Sequence, residues 1–195
     1  MQPVKLNFKI YQGSTFKQIL RWESSTKAYA TISGITKAAP VVITSTAHGI
    51  PIGWRVKITN VVGMKEINSD SQYHTVTQVT SDTVTINNLN TLSYTAYTSG
   101  GVLEYNTPVS LAGYTAKMQI REDVDSATVI HELTTQNGGI VFDNTAKTIS
   151  IVIPDTITTD FDFTQAVYSL EMSSEATGTF EFANGSVSLF KEVTR

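Results

Sequence analysis

Short segments in which every second residue is apolar recur along almost the whole chain. Successive side chains of a β-strand point to opposite faces, so this period of two is the pattern of half-buried strands. Threonine occupies 29 of the 195 positions, alongside many valine, isoleucine, tyrosine and phenylalanine residues. Because β-branched and aromatic side chains suit a pleated surface and are mediocre in helices, we predict an all-β protein.

The alternating segments are separated by turn residues at the spacing expected of β-sandwiches and small barrels. Ten of them are predicted as strands: 4–12, 15–22, 55–61, 74–80, 83–89, 114–121, 128–133, 147–153, 166–173 and 185–193. A further short strand is expected at 140–142, between the turns "QNGG" and "DNTAK". The segment "PDTITTDF" (154–161) predicts one helical turn, and "ANGS" (183–186) fits either a tight hairpin or a bulge within one long final strand.

Composition narrows the function classes. A chain of 195 residues with 41% hydrophobic content can bury a real core. Charged residues make up 16%, the net charge is −3 and no basic run occurs, so we expect no nucleic-acid partner. The absence of cysteine excludes disulfides, thiolate metal sites and thioester chemistry. The N-terminal segment lacks the pattern of a signal peptide, and we expect neither a membrane span nor a bound cofactor.

The order of the segments indicates one domain inserted into another. The polar stretches "ESSTKAYATISG" after Trp22 and "EYNTPVSLAG" (104–113) flank a region with strands and a tryptophan of its own. Removing that region joins "RWESS" to "NTPVSLAGYTAKMQIR", which is a plausible connection between two strands. We therefore expect an inserted small β-barrel-like domain at 31–106 and a discontinuous β-sandwich formed by 1–30 and 107–195.

The outer pieces resemble a known family. "IYQGSTFKQILRW", "PVSLAGYTAKMQIRE", "KTISIVIPDTIT" and "GSVSLFKEVTR" are similar, in this order, to the strands of small virion proteins of tailed bacteriophages. The opening strands are also similar to the N-terminal immunoglobulin-like domain of phage baseplate upper proteins. This resemblance implies an immunoglobulin-like sandwich that docks into the neck, tail or baseplate of a phage particle.

The insert resembles a second phage-associated module. The segment from "VVITSTAHGIPIGWRVKITNVVG" to "YTAYTSGG" looks like a small β-domain named after the first catalytic cysteine half-domain of ubiquitin-activating enzymes. That likeness concerns the fold, because a chain without cysteine cannot form a thioester. The simplest members of the outer family lack an insert at this position, which implies an additional role for it, such as contact with a neighbouring component.

The resemblance implies a non-enzymatic structural protein of the virion, made in the cytoplasm of the bacterial host. Its partners would be copies of itself, arranged by the symmetry of the particle, and other tail, neck, portal-proximal or fibre proteins. Two alternatives stay open at this point: a capsid decoration protein and a receptor-binding module that contacts host-surface glycans.

The docking residues follow from the chain ends, because free terminal strands can pair with a neighbour. We expect assembly contacts within Met1–Tyr11 and Phe190–Arg195. The candidate side chains are Val4, Leu6, Phe8, Phe190, Val193 and Arg195.

Aromatic residues of the insert are candidates for glycan contact, since sugar rings stack on flat π faces. Core packing explains Trp54 and Tyr73 more simply. Tyr94 and Tyr97 lie in a polar Thr/Ser/Gly segment and are therefore predicted to be the exposed pair.

The histidines and acidic residues carry the enzymatic alternatives. His48, His74 and His131 are spaced too irregularly to predict a metal triad. We interpret His48 as part of a tight turn in which Gly49 and Gly53 supply unusual φ angles, and we expect its replacement by alanine to have little effect beyond local stability. An enzyme would use Glu122, Asp160 or Asp162, for example as a glycosidase carboxylate pair, or Asp160 and Asp162 in a calcium site; solvated turn residues are the simpler interpretation.

Overall fold

The computed structural model describes residues 2–192, and its secondary structure is nearly all β. Among these residues there are seventeen strands, one 3-10 turn at Lys65–Ile67 and one turn of α-helix, α1, at Asp155–Thr158. The first eleven strands are β1 Val4–Lys5, β2 Phe8–Tyr11, β3 Phe16–Arg21, β4 Glu23–Thr31, β5 Gly34–Ile35, β6 Val41–Thr44, β7 Arg55–Val62, β8 His74–Thr75, β9 Gln78–Val79, β10 Thr83–Ile86 and β11 Ser99–Pro108. The last six are β12 Thr115–Arg121, β13 Val129–Thr134, β14 Ile140–Asp143, β15 Thr148–Ile153, β16 Gln165–Ser174 and β17 Gly178–Phe190.

The chain divides into two compact units. The outer unit runs to Arg21 and resumes at Ser110, and the insert is Trp22–Val109. The insert is thus longer at both ends than the expected 31–106. The added residues belong to β4 and β11, which pair with each other from Thr31 and Val102 to Glu23 and Pro108.

The outer unit is a sandwich of two sheets. One sheet has the order β1–β17–β16–β12–β13, with β2 also paired to β17, and the other has the order β14–β15–β3. In immunoglobulin terms these are strands G, F and C with their neighbours, and strands D, E and B. The predicted all-β sandwich is confirmed, and the insert occupies the connection between the strands equivalent to B and C.

The sandwich core forms where the alternating strands bury one face. In β12 and β16 the buried side chains are Ala116, Met118, Ile120, Ala166, Tyr168, Leu170 and Met172. In the other sheet, the isoleucines of β15 are buried as well: Ile149, Ile151 and Ile153. Each side chain of this size contributes about 1.5 to 3 kcal/mol when fully buried, so this layer is a principal source of stability.

The insert has its own core between two four-stranded sheets, β4–β11–β7–β8 and β5–β6–β10–β9. Trp54 is completely buried there with Ile43, Ile58 and Leu103. Its indole Nε1 donates a hydrogen bond to the Asn106 carbonyl at 2.7 Å. No closed barrel forms within the described part of the insert.

The outer unit contains the predicted helical turn and the segment "ANGS", for which a hairpin and a bulge were both expected. The predicted helical turn is confirmed as α1, and the "ANGS" segment lies inside one continuous strand, β17. The register between β16 and β17 shifts where Leu170 pairs with Ala183 and Glu171 with Glu181. A bulge therefore falls at Phe182, immediately before "ANGS", rather than a hairpin within it.

The N-terminal strands lie parallel to the last strand and depend on a glycine. Val4 pairs with Ala183 and Tyr11 with Phe190. Between β1 and β2 the Leu6 carbonyl passes so close to Gly185 that a Cβ there would lie 2.1 Å from its oxygen. Only glycine permits this approach, since any side chain would displace the N-terminal strand.

We predict that Gly185→Ala destabilises the outer unit by about 1 to 3 kcal/mol, because the added methyl group overpacks the strand contact. Amide hydrogen exchange should show faster exchange in residues 4–11. Gly34→Ala is the matched control, since a Cβ there would lie 3.4 Å from the nearest atom, Thr44 Oγ1. Equal protection of residues 4–11 in both variants would contradict the role given to Gly185.

Candidate functional site

The two ends of the outer sandwich carry different features. The chain leaves for the insert after Arg21, whose strand neighbour is Thr148, and returns at Ser110. At the opposite end of the same sheets β2 and β17 finish together at Tyr11 and Phe190. Helix α1 connects β15 to β16, and the loop after β12 leads to β13. Both lie at this second end, because β15 and β12 end there and β16 and β13 begin there. We call this end of the outer unit the distal end.

An exposed aromatic pair marks the distal end. The rings of Tyr11 and Phe190 have centroids 5.2 Å apart and are tilted by 31°. Tyr11 is 58% exposed and Phe190 44% exposed. Two large rings in contact with each other and with solvent form a small apolar patch, which is a common mark of an interaction surface.

Gln12 ties the N-terminal strand to the segment after α1. Its side-chain amide nitrogen donates to the carbonyls of Thr159 and Phe161 at 3.2 and 2.9 Å. Its side-chain oxygen accepts from the Glu192 backbone N–H at 3.2 Å. Since both ends of the amide are used, the residues around the Tyr11–Phe190 pair are held in one arrangement.

A groove of about 520 Å³ opens beside this segment, and we call it the acidic groove. Its floor is apolar and aromatic, formed by Ile130, Ile157, Phe161 and Phe163. Three exposed carboxylates belong to its lining: Glu122, Asp160 and Asp162. The fold therefore brings together the acidic residues singled out in the sequence, which lie on the loop after β12 and the segment after α1.

One of these acids, Asp162, forms an ion pair. Lys191 Nζ lies 2.6 Å from Asp162 Oδ1, and this contact holds the pKa of the Asp162 carboxyl below its ordinary value. A general acid in a glycosidase needs the opposite shift. Among residues 2–192 no group of three or more His, Asp or Glu side chains is arranged to hold a metal ion.

His131 also lines the acidic groove. Its ring packs edge-on against Phe161, with the ring centroids 5.9 Å apart. Burial lowers the pKa of the His131 imidazole. The neutral ring therefore forms part of the apolar floor near neutral pH.

The predicted assembly residues have different fates. Val4 is 60% exposed and, like Phe190, is available for contact. Leu6 is half-buried, and its carbonyl accepts a hydrogen bond from Tyr168 at 2.7 Å. Val193 and Arg195 lie outside the described residues.

The prediction for Phe8 is wrong. Phe8 is buried, stacked on Tyr168 with the ring centroids 4.5 Å apart, and it also contacts Phe16. Its side chain belongs to the sandwich core, so it is not available to a partner. Tyr11, on the other face of β2, is the exposed aromatic residue of this strand.

The aromatic residues of the insert do not match the expected glycan platform. Tyr94 and Tyr97 are half-buried and pack against the core of the insert. The Tyr97 hydroxyl donates towards the carbonyls of Ile32 and Gly100. Trp54 is buried as expected, whereas Tyr73 is 39% exposed and lies beneath the cations of Lys27 and Arg55.

His48 is a structural residue whose ring bonds three backbone groups, one in its own turn and two in the turn at 80–83. Its Nδ1 accepts from the Ile50 N–H at 2.9 Å, and its Nε2–H donates to the carbonyls of Thr80 and Thr83 at 3.0 and 3.2 Å. The expected positive φ angles are confirmed at 64° for Gly49 and 76° for Gly53. The turn interpretation therefore holds, but the expectation that His48→Ala costs little is at odds with these hydrogen bonds.

Sequence reasoning missed Gln12 and the grouping of His131 with the acids. A glutamine directly after a strand carries no signal of its own, because its partners are 147 and 149 residues away. The phenylalanines of "DFDF" were the available clue, since apolar residues alternating with acids suggest a surface with an apolar floor.

Comparison with known proteins adds no assignment. No protein-family model matches the chain, and no curated protein matches it at a significant level. Within the part of the chain that the structure describes, no helix combines the length and apolar character needed to cross a membrane.

We predict that His48→Ala lowers the free energy of unfolding by about 1 to 3 kcal/mol, because it removes the hydrogen-bond partner of the buried Ile50 N–H and of the Thr80 carbonyl. Urea denaturation followed by tryptophan fluorescence reports on this directly, since Trp54 lies in the core of the insert. Thr46→Ala, an exposed change in the same turn, serves as the control. A loss no larger than that of the control would show that the hydrogen bonds of His48 are dispensable.

Stability should fall as the pH decreases from 7 to 5. Burial lowers the pKa of both His74 and His131, and the buried Nδ1 of His74 has no hydrogen-bond partner among the described residues. Below a pH of about 6.5 the unfolded chain therefore binds protons that the folded chain does not, and this favours unfolding. Denaturation at pH 7, 6 and 5 should show a smaller loss in His74→Leu and His131→Leu, and an unchanged pH dependence in both variants would refute this origin.

Proposed function

We propose that this protein is a non-enzymatic structural protein of a tailed-bacteriophage particle. It would occupy the neck, tail or baseplate in several symmetric copies and connect or anchor neighbouring components. The outer unit would dock through its distal end, and the insert would supply contacts of its own to adjacent components.

The exposed Tyr11–Phe190 pair carries the docking part of this proposal. The Tyr11 ring lies at the end of the edge strand β2 and the Phe190 ring at the end of its neighbour β17, and both rings are accessible, unlike those of Phe8 and Tyr168 in the core. Aromatic residues with exposed faces are frequent anchors in protein interfaces. The connections to the insert lie at the other end of the sheets, so the insert does not interrupt this surface along the chain.

The phage assignment is supported by the ordered motifs of the outer unit. "QGSTF" leads into β3, "GYTAKMQIR" contains β12 and "GSVSLF" completes β17. These motifs thus lie on strands of the two sheets of one sandwich. Motifs that occur in this order and lie on strands of one folded unit support the proposal more strongly than any single motif.

The location in the particle is the direct test. Purified particles of a phage that encodes this chain should contain the protein, and cryo-electron microscopy should place its sandwich at symmetry-related positions in the neck, tail or baseplate. Particles that lack the protein, in a host lysate that contains it in soluble form, would overturn the proposal.

Replacing Tyr11 by aspartate should reduce incorporation into particles at least tenfold, because an interface anchor of this kind contributes more than about 1.4 kcal/mol. Quantitative mass spectrometry of purified particles measures the number of incorporated copies. Tyr29→Asp is the matched control, since Tyr29 is an equally exposed tyrosine on a strand of the insert. If incorporation falls with Tyr29→Asp and not with Tyr11→Asp, docking does not use the distal end.

A further inference from the structure

The larger sheet of the outer unit has two chemically different edges. Its strand order places β1 and β2 at one edge and β13 at the other. Within residues 2–192, β1 and β2 pair only with β17, and β13 pairs only with β12. Each edge strand therefore has one side available to another chain, which is the geometry used in β-strand addition.

The edge formed by β1 and β2 is basic and carries an exposed apolar residue. Lys5 and Lys9 are both exposed on it, next to Val4. Neither β1 nor β2 contains an acidic residue, although Lys5 lines a groove that Glu171 and Glu181 of the neighbouring strands also line. Two edges of this kind would repel each other, so this edge disfavours symmetric pairing with its own copy.

The β13 edge is complementary to it. Among the described residues, the acidic groove lies beside Thr128 and Ile130 and carries the carboxylates of Glu122, Asp160 and Asp162 next to an apolar floor. Asp162 is already paired with Lys191, so Glu122 and Asp160 are the carboxylates that an incoming lysine would meet. Further along β13, the Asn137 side chain caps the Glu132 carbonyl and the Thr134 N–H, which confines an incoming strand to the half of β13 beside the groove.

We propose that copies of this protein associate head to tail, with the basic β1–β2 edge of one copy lying against the acidic groove of the next. Lys5 and Lys9 would meet the carboxylates, and Val4 would lie on the apolar floor. Because the two surfaces differ, the contact is heterologous, and its repetition produces a ring or a helical array. This inference rests on the proposed function, for which it names the contact between copies.

Charge-reversal variants test the contact. Sedimentation velocity of the full chain should show concentration-dependent association that weakens at least tenfold between 50 and 500 mM salt, since the contact is largely electrostatic. Lys5→Glu/Lys9→Glu and Glu122→Lys/Asp160→Lys should each abolish association, and an equimolar mixture of the two variants should restore it. Lys65→Glu, an exposed change in the insert, should associate like the unaltered protein. Circular dichroism melts identify any variant that fails to fold; for such a variant Lys9→Gln or Asp160→Asn replaces the double change.

The outcomes separate this inference from the proposed function. Restoration by mixing supports the head-to-tail contact. An unaltered protein that stays monomeric up to about 1 mM, or association that survives both charge reversals, overturns it. In either of those cases the protein can still be found in particles, which would keep the structural role and reject only this contact. If the protein associates head to tail but is absent from particles, the contact is kept and the structural role is rejected.

Discussion

The outer unit depends on the parallel pairing of its N-terminal strands with its last strand. The pairing joins residues almost 180 positions apart and brings the first residues of the chain to the edge of the larger sheet. Tyr168 reinforces it through its hydroxyl bond to the Leu6 carbonyl, and the Phe8 ring seals the core beneath it. Both the exposed aromatic pair and the basic edge exist only because β1 and β2 are held there. The pairing of β1 and β2 with β17 therefore positions the exposed Tyr11–Phe190 pair, the β1–β2 edge and the buried Phe8 ring.

The insert is compatible with the sandwich because its two ends pair with each other. Glu23 lies opposite Pro108, and the Val109 N–H donates to the Trp22 carbonyl at 3.0 Å. The 88 residues from Trp22 to Val109 thus stand where a short loop could connect β3 to β12. A loop whose ends are already held together adds little closure entropy, so the length of the insert is tolerated. Separate cores in the two units are consistent with this, since each buries its own apolar side chains.

The sequence pattern predicted the class of fold and most strands, but it missed β4, β5, β6 and β11, all of which belong to the insert. β4 lies in the polar stretch after Trp22 and shows no clear alternation, because its apolar side is made of small residues such as Ala28 and Ala30. Its other side carries Lys27, which pairs with Glu104 of β11, and Glu104 also pairs with Lys57. Cross-strand ion pairs of this kind are invisible until the register is known. For that reason the ends of the insert could not be located from composition alone.

Exposure was harder to predict than strand position. Alternation separates the two faces of a strand without saying which face is inside, and the interruption between β1 and β2 changes the phase, so that Val4 is exposed while Phe8 is buried. In the same way, a polar neighbourhood suggested exposure for Tyr97, whose hydroxyl in fact reaches backbone carbonyls. The charges behave differently. Lys5 and Lys9 lie on the β1–β2 edge, whereas Glu122, Asp160 and Asp162 line the groove beside β13, so each of these surfaces depends on the strand order as well as on its residues. The net charge of −3 does not reveal them, because charges far apart in sequence become neighbours only once that order is known.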